Sequence, residues 1–251
     1  MKSVMIVLIT MSVQIFGAEL PGCRELLDSG DVSYAEFTNA IALDWYRRAY
    51  LKCPENYEAI MKMTRAYIDV GQGAAIAKPE SLFITGLRFA DTLRQRYPDS
   101  GQAYFLTSVA SGNLCFIRKG ARRIKLVRMV EHNANKAIEL APDFAPAYVV
   151  LGIYYREIAI ANPILKILAR LLLGGIPDGT LKDSEHTLQK ALELSPNNIF
   201  GLLELSRTDL LMGKKNEAIV HLTRALNSEP AWYQDKKLKQ ECEWLLQSLV
   251  P

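Results

Sequence analysis

The sequence predicts an all-α fold, a solenoid of stacked helical hairpins, from the spacing of its prolines and the small residues around them. Five prolines recur with gaps of 44, 44, 54 and 34 residues: Pro54, Pro98, Pro142, Pro196 and Pro230. One gap is a bare unit of 34 residues, and the other three are that unit with 10, 10 and 20 residues added. Small residues precede most of these prolines at fixed offsets, as Ala218 and Ala225 do before Pro230. A period of this length indicates a repeat protein in which each unit packs on its neighbours.

The 34-residue unit resembles the tetratricopeptide repeat, a pair of antiparallel helices, most clearly at Tyr148, Leu151, Gly152 and Tyr155. This resemblance implies a right-handed tetratricopeptide-repeat solenoid over residues 33–230. The extra length in three of the units falls between the two helices of a hairpin. We therefore expect extended helical hairpins that project from one edge of the solenoid.

The elements follow from capping and proline signals. Residues 19–32 are expected to form a linker, and Ser33 with Glu36 forms a capping-box pattern that predicts a helix from Ser33 to about Leu51. Four hairpins follow, and each second helix must end before the next proline, since the residue before proline resists the helical conformation. Their first helices are expected to start near Tyr57, Gln102, Ala145 and Ile199. Residues 231–251 predict an amphipathic cap helix, which a solenoid needs at its end.

Small side chains recur at one offset of the first helices and at a matching offset of the second helices. The residues are Thr64, Ser108, Gly152 and Ser206 in the first helices, and Ala137, Ala191 and Ala225 in the second. Helices approach closely only where such residues lie between them. We expect these positions to be the contacts within and between hairpins.

The N-terminus carries targeting signals. Residues 1–18 read as an export signal peptide, with one positive charge, an apolar run from Val4 to Phe16 and small residues after it. Leu20 to Cys23 also resembles a bacterial lipoprotein box, which makes Cys23 a candidate for lipidation. The sequence leaves open whether Cys23 and Cys53 form a disulfide or remain thiols.

Composition and motifs argue against two large functional classes. The net charge of +3 is too small to indicate a nucleic acid partner. The sequence has no nucleophile motif, glycine-rich phosphate loop or metal-ligand spacing, so we expect no catalytic residues, no metal and no cofactor. A binding or scaffold protein is the expected class, with function carried by the concave face of the solenoid.

Tetratricopeptide folds line their groove with a few offsets of each first helix, and these offsets give the candidate binding site. Carried onto this sequence, they are Met61, Arg65, Phe105, Val109, Val149, Ile153, Arg156, Phe200, Leu203 and Arg207. An apolar wall with a few cations suits a partner peptide or helix, or an amphiphile that carries a carboxylate. The competing interpretation is that the C-terminal helix fills part of this groove.

Two of the inserted segments suggest further contacts. The second insertion is basic and places Arg118, Lys119, Arg122 and Arg123 at one edge, where they would bind an anionic headgroup or an acidic protein surface, or simply face water. The third, Ile158–Leu173, is apolar but too short and too charged to span a bilayer. It is expected either to pack against the neighbouring insertion or to expose an apolar patch.

Several segments resemble a group of exported bacterial tetratricopeptide proteins, the T-component (TatT-like) proteins of TRAP transporters. They are Asn56–Ala59, Arg65–Tyr67, Gly86–Ala90, Leu173–Gly175 and Lys190–Leu194. The last repeats are also distantly similar to eukaryotic regulators of microtubule dynamics. The first resemblance implies a periplasmic, often lipid-anchored protein that assembles as a trimer and docks a periplasmic solute-binding protein, with a hydrophobic small molecule in its cleft.

We therefore expect an exported, non-enzymatic module, periplasmic or associated with a bacterial cell envelope, that acts as the accessory component of a solute uptake system. A scaffold for envelope assembly or secretion is the alternative. Peripheral contact with an anionic membrane through the basic insertion is a third hypothesis.

Overall fold

A computed structural model describes residues 21–73, 79–163, 166–167, 178–231 and 234–250. This part of the chain contains no strand, and eleven α-helices have defined bounds in it. They are α1 (Cys23–Ala35), α2 (Asn39–Lys52), α3 (Tyr57–Gln72), α4 (Pro79–Arg96), α5 (Gly101–Ile117), α6 (Gly120–Leu140), α7 (Ala145–Ile160), α8 (Leu181–Leu194), α9 (Ile199–Leu211), α10 (Lys215–Asn227) and α11 (Asp235–Leu249). The predicted all-α fold is confirmed.

Neighbouring helices pair as a solenoid of hairpins. α1 packs with α2, α3 with α4, α5 with α6, α7 with α8 and α9 with α10, and each second helix also packs on the first helix of the next pair. First helices of successive layers touch as well, α3 with α5, α5 with α7, and α7 with α9. The first helices thus line one continuous face, while α11 packs on α9 and α10 at the end.

Each of the five prolines lies just after a helix, as predicted. α2, α4, α6, α8 and α10 all end within three residues before their proline. The residue two positions after the proline then caps the next helix in three layers: the side chains of Asn56, Ser100 and Asn198 accept from the backbone N–H groups of Ala59, Ala103 and Gly201. The short segment from proline to cap therefore ends one helix and starts the next.

The small residues do bring the helices together. Thr64, Ser108 and Ser206 are fully buried. A Cβ atom added to Gly152 of α7 would lie 2.5 Å from Cγ of Leu188 on α8, which is closer than two carbon atoms can approach. Gly152 therefore allows the closest contact of the α7–α8 hairpin.

The first layer differs from the sequence prediction. Residues 23–35 form a helix, so they are not a linker, and Ser33 lies inside the last turn of α1, where its hydroxyl donates to the carbonyl of Ser29. Ser33 is therefore no N-cap. α1 forms because its apolar face has a partner: Leu26 and Leu27 are buried, and Gly30 lies directly under the ring of Tyr46 from α2. The solenoid has a complete hairpin where the sequence predicted a linker and a single helix.

A disulfide joins the two ends of this first hairpin. Cys23 at the start of α1 is bonded to Cys53 at the end of α2, with 6.2 Å between their Cα atoms. The sequence left this pairing open. The bond closes a loop over α1 and α2 and thereby restricts the unfolded chain.

Two predictions fall wholly or partly outside the described residues. The signal peptide over residues 1–18 lies outside them, and so does part of the apolar segment Ile158–Leu173. Within the part of the chain that the structure describes, no helix has the length and apolar character that crossing a bilayer requires.

Replacing Gly152 with alanine should destabilise the protein, because the new methyl group collides with the buried Leu188. Overpacking of this kind costs about 1–3 kcal/mol, which outweighs the ~1 kcal/mol that alanine gains over glycine within a helix. We expect urea denaturation to show a lower free energy of unfolding.

Gly112→Ala is the matched control. It also lies inside a helix, α5, but its added Cβ would meet only Val130, at an ordinary 3.8 Å. This variant should be as stable as the wild type or slightly more so. Equal effects at both positions would mean that close packing at Gly152 does not limit the fold.

Candidate binding cavity on the concave face

The concave face is built from one stripe of each first helix. Residues three or four apart lie on the same side of a helix, and this spacing relates Phe105, Val109, Gly112 and Phe116 on α5. These four residues face Val149, Val150, Ile153 and Ile160 of α7 across a cavity of about 920 Å³. Two walls of the cavity are therefore mainly apolar.

The start of α11 closes the open side of this groove. The side-chain amide of Gln234 donates to the side-chain oxygen of Gln72 on α3, and the ammonium of Lys236 lies 5.6 Å from the ring centre of Phe37 in the α1–α2 turn. Asp235 and Leu238 line the same cavity. The last helix thus reaches the first layer and turns a groove into a cavity, without filling it.

Six of the ten predicted binding residues line the cavity: Arg65, Phe105, Val109, Val149, Ile153 and Phe200. Four do not. Met61 packs in the core beside Ile60, and Leu203 is fully buried. Leu203 does not reach the cavity because α9 packs against α7, α8, α10 and α11. This packing leaves α9 with a narrower exposed stripe than α5 or α7.

The other two, Arg156 and Arg207, are held by a buried carboxylate. Glu204 is only 2% exposed, and its oxygens lie 2.5 Å from Nη1 of Arg156 and 2.5 Å from Nη1 of Arg207. Arg207 also reaches Glu241 of α11 at 2.7 Å. These arginines join α7, α9 and α11. Their charges are paired with carboxylates, Arg156 in the interior and Arg207 at a site where 39% of its side chain stays exposed, and neither lines the cavity.

The first three helices give the cavity a polar end. The hydroxyl of Tyr34 donates to Oδ2 of Asp69 over 2.7 Å, and Arg65 lies 3.7 Å from the same oxygen and stacks over the Tyr34 ring. Burial raises the pKa of the Asp69 carboxyl above its usual value, and Arg65 and Tyr34 offset part of that increase. Gln72 and Asn39 complete this end.

The tip of the α5–α6 hairpin gives the cavity a cationic edge. Lys119 and Arg123 line the cavity beside Phe116, whose side chain is 71% exposed. Among the described residues, Lys119, Arg122 and Arg123 have no ion-pair partner, whereas Arg118 pairs with Glu80 at 2.5 Å. Arg118 therefore differs from the other three cations that the sequence grouped with it.

Cys115 is another lining residue that sequence analysis did not single out. Burial raises the pKa of its thiol to about 12, so the thiol stays protonated at neutral pH and is a poor nucleophile.

Comparison with known proteins gives the family. The family model of regulator of microtubule dynamics proteins 1–3 matches residues 24–250. This chain belongs to that family. Regulator of microtubule dynamics protein 1 of Bos taurus is 24% identical over 195 residues, which cover 76% of this chain and 62% of the relative. Human regulator of microtubule dynamics protein 2 is 23% identical over 202 residues, which cover 79% and 49%. The chain thus spans about half to two thirds of these relatives.

Solved structures confirm the tetratricopeptide solenoid. A thermophilic tetratricopeptide repeat protein of Thermus thermophilus superposes with a TM-score of 0.69 at 22% identity, covering 90% of this chain and all of that one. Yeast Tom70 gives 0.53 at 11% identity, over 91% of this chain and 40% of its own. At these identities the likeness concerns the fold.

These comparisons correct the expected location. The predicted bacterial periplasmic or envelope location is wrong, because the relatives that carry the family name are mammalian regulators of microtubule dynamics. Lipidation of Cys23 has no support either, since its sulfur is bonded to Cys53. The distant resemblance to the regulators was the informative one, and the transporter role implied by the T-component resemblance is not supported.

Replacing Glu204 with glutamine should destabilise the protein strongly, because the buried Arg156 would lose the carboxylate at 2.5 Å and keep only the more distant one of Glu157, at 3.4 Å. Removing one partner of a buried ion pair costs about 3–5 kcal/mol. We expect urea denaturation to show a loss of that size. Glu193→Gln is the control: Glu193 pairs with Lys190 in solvent, and such pairs contribute less than about 1 kcal/mol. Equal stabilities would indicate that the two arginines do not depend on Glu204.

Proposed function

We propose that the protein is a non-enzymatic scaffold that holds a segment of a partner protein in the cavity on its concave face. The observation that carries this proposal is the cavity itself: about 920 Å³, with apolar walls from α5 and α7 and polar groups at its margins. Binding sites commonly combine apolar walls with a few placed polar groups. Tetratricopeptide solenoids use their concave surface in this way.

The charges of the cavity favour a segment with some acidic character. Arg156 and Arg207 share Glu204, and each has a second carboxylate nearby, Glu157 and Glu241. Arg65 lies beside Asp69, but Lys119 and Arg123 have no carboxylate partner among the described residues. An acidic side chain beside the apolar stretch of a partner would meet these two cations. A hydrophobic carboxylate of low molecular weight is the competing occupant, because it offers the same two features.

Filling the cavity tests the proposal. Val109 lines the apolar wall and is half-buried, so Val109→Trp would project a large ring into the space that the partner occupies. We expect linear peptides selected from a displayed random library on the wild-type protein to bind this variant about tenfold more weakly or worse, as measured by fluorescence anisotropy.

Val220→Trp is the matched control, since Val220 lies on α10 outside the cavity and is 63% exposed. It should bind the selected peptides normally. Peptides that bind both variants equally would contradict the proposal. A second result would also contradict it. In that case Val109→Trp, but not Val220→Trp, would lose binding of a fluorescent long-chain fatty acid, while no selected peptide would be sensitive to Val109→Trp.

A second candidate function involves the outer tip of the α5–α6 hairpin, and we propose that this tip contacts an acidic protein surface of the microtubule. The specific observation is that Lys119, Arg122 and Arg123 are exposed and lack ion-pair partners among the described residues. The relatives bear the name regulators of microtubule dynamics. A cluster of unpaired cations attracts acidic surfaces with a strength that falls as salt is added.

Charge reversal tests this contact. Arg122→Glu with Arg123→Glu should abolish salt-sensitive co-sedimentation with purified microtubules, and it should leave folding intact because acidic residues are favoured in the first turn of a helix. The control is Arg47→Glu with Lys52→Glu on exposed parts of α2, which changes the net charge equally. Loss of binding to vesicles of anionic phospholipid, with microtubule binding unchanged, would assign the tip to membranes instead.

A further inference from the structure

Asn39 is a buried amide that the fold does not use. It is the first residue of α2, follows the Glu36–Thr38 turn, and is only 5% exposed. Neither its side-chain nitrogen nor its side-chain oxygen has a hydrogen-bond partner among the described residues, although the side chain lines the cavity. Buried polar groups are nearly always paired, and leaving one unpaired lowers stability. What sets Asn39 apart from other buried side chains with an unpaired atom is that it lines the cavity, where a ligand would supply the missing hydrogen bonds.

The other polar groups at this end are already paired. Tyr34 donates to Asp69. Gln72 donates to Asn113 over 3.2 Å and accepts from Gln234. Asn39 thus differs from its neighbours in offering both a donor and an acceptor.

The donor and the acceptor of the Asn39 amide together restrict the kind of ligand. A carboxylate could use only the donor of Asn39, and it would face the side-chain oxygen of Asn39 and the carboxyl group of Asp69. An ammonium group could use only the acceptor. A single extended residue of a peptide satisfies both, because its own N–H and C=O point to the same side of the strand.

We propose that Asn39 binds the backbone of an extended partner segment, donating to its C=O and accepting from its N–H at the first-layer end of the cavity. This inference rests on the proposed function and names its ligand class: an extended peptide whose apolar side chains lie against α5 and α7. The acidic part of the segment would then lie toward Lys119 and Arg123, away from Asp69.

Asn39→Leu separates a binding role from a structural one. Leucine has a similar size but no polar atoms, so removing the unpaired amide should raise the melting temperature by about 2–4 °C. Loss of two hydrogen bonds should lower the affinity for the library-selected peptides about tenfold or more. A structural asparagine would instead give a lower melting temperature, and that result would overturn the inference.

Asn133→Leu is the matched control, because Asn133 on α6 is also buried with an unpaired side-chain oxygen but does not line the cavity. It should bind the peptides within about twofold of the wild type, a change well below the cost of one hydrogen bond. N-methylation along a selected peptide gives an independent readout. N-methylation at one position should weaken binding of the peptide to the wild type. The same N-methylation should not weaken binding to Asn39→Leu any further.

The outcomes distinguish this inference from the proposed function. If the peptides are sensitive to Val109→Trp but indifferent to Asn39→Leu, the cavity binds peptides and the backbone contact is wrong. If they ignore both substitutions, peptide binding in the cavity is wrong as well. A third outcome concerns a glutamine in the selected peptide. If replacing that glutamine removes the effect of Asn39→Leu on affinity, and no N-methylation does, Asn39 binds a side-chain amide and the backbone contact is wrong.

Discussion

The close approach of two helices within each hairpin is the contact on which the rest of the structure depends. It is tightest where a glycine lies opposite a large side chain, as at Gly152 and Leu188 or at Gly30 and Tyr46. A hairpin alone exposes its remaining apolar faces, and the next layer covers them. Because each layer packs on the next, the first helices lie side by side along one face. Packing between the layers is therefore sufficient to form the concave wall, whether or not a ligand binds there.

Local signals made the repeat predictable. A proline two residues before a capping Asn or Ser ends one helix and starts the next, and that information lies within a few residues of sequence. The α1 helix could not be predicted in this way. Its residues have few apolar positions of their own, and the helix is held by Tyr46 and by the bond from Cys23 to Cys53, both distant in sequence. A capping pattern at Ser33 was outweighed by that packing.

The site was predictable to the extent that it repeats. Phe105, Val109, Val149 and Ile153 follow from helical spacing on α5 and α7, and all four line the cavity. On α9 the same spacing holds only for Phe200, because α11 packs on this helix and Leu203 and Arg207 do not line the cavity. Position within the repeat marks which residues point inward. It does not show which of them another element will cover, and Asn39 carries no local signal because its place depends on the α1–α2 turn.

Closure by α11 decides what the cavity can hold. Gln72 and Gln234 are separated by 162 residues, yet their side chains meet, so the groove has a bounded length and a fourth side. An open tetratricopeptide groove can accept a long helix whose ends extend beyond the groove. A bounded cavity instead favours a short segment, or one that enters through the cationic edge near Phe116. The polarity of the cavity agrees with a directional occupant. Its first-layer end offers a neutral amide beside an acid, its middle is apolar, and its α5–α6 edge is cationic, so a peptide and its reverse would not bind equally well.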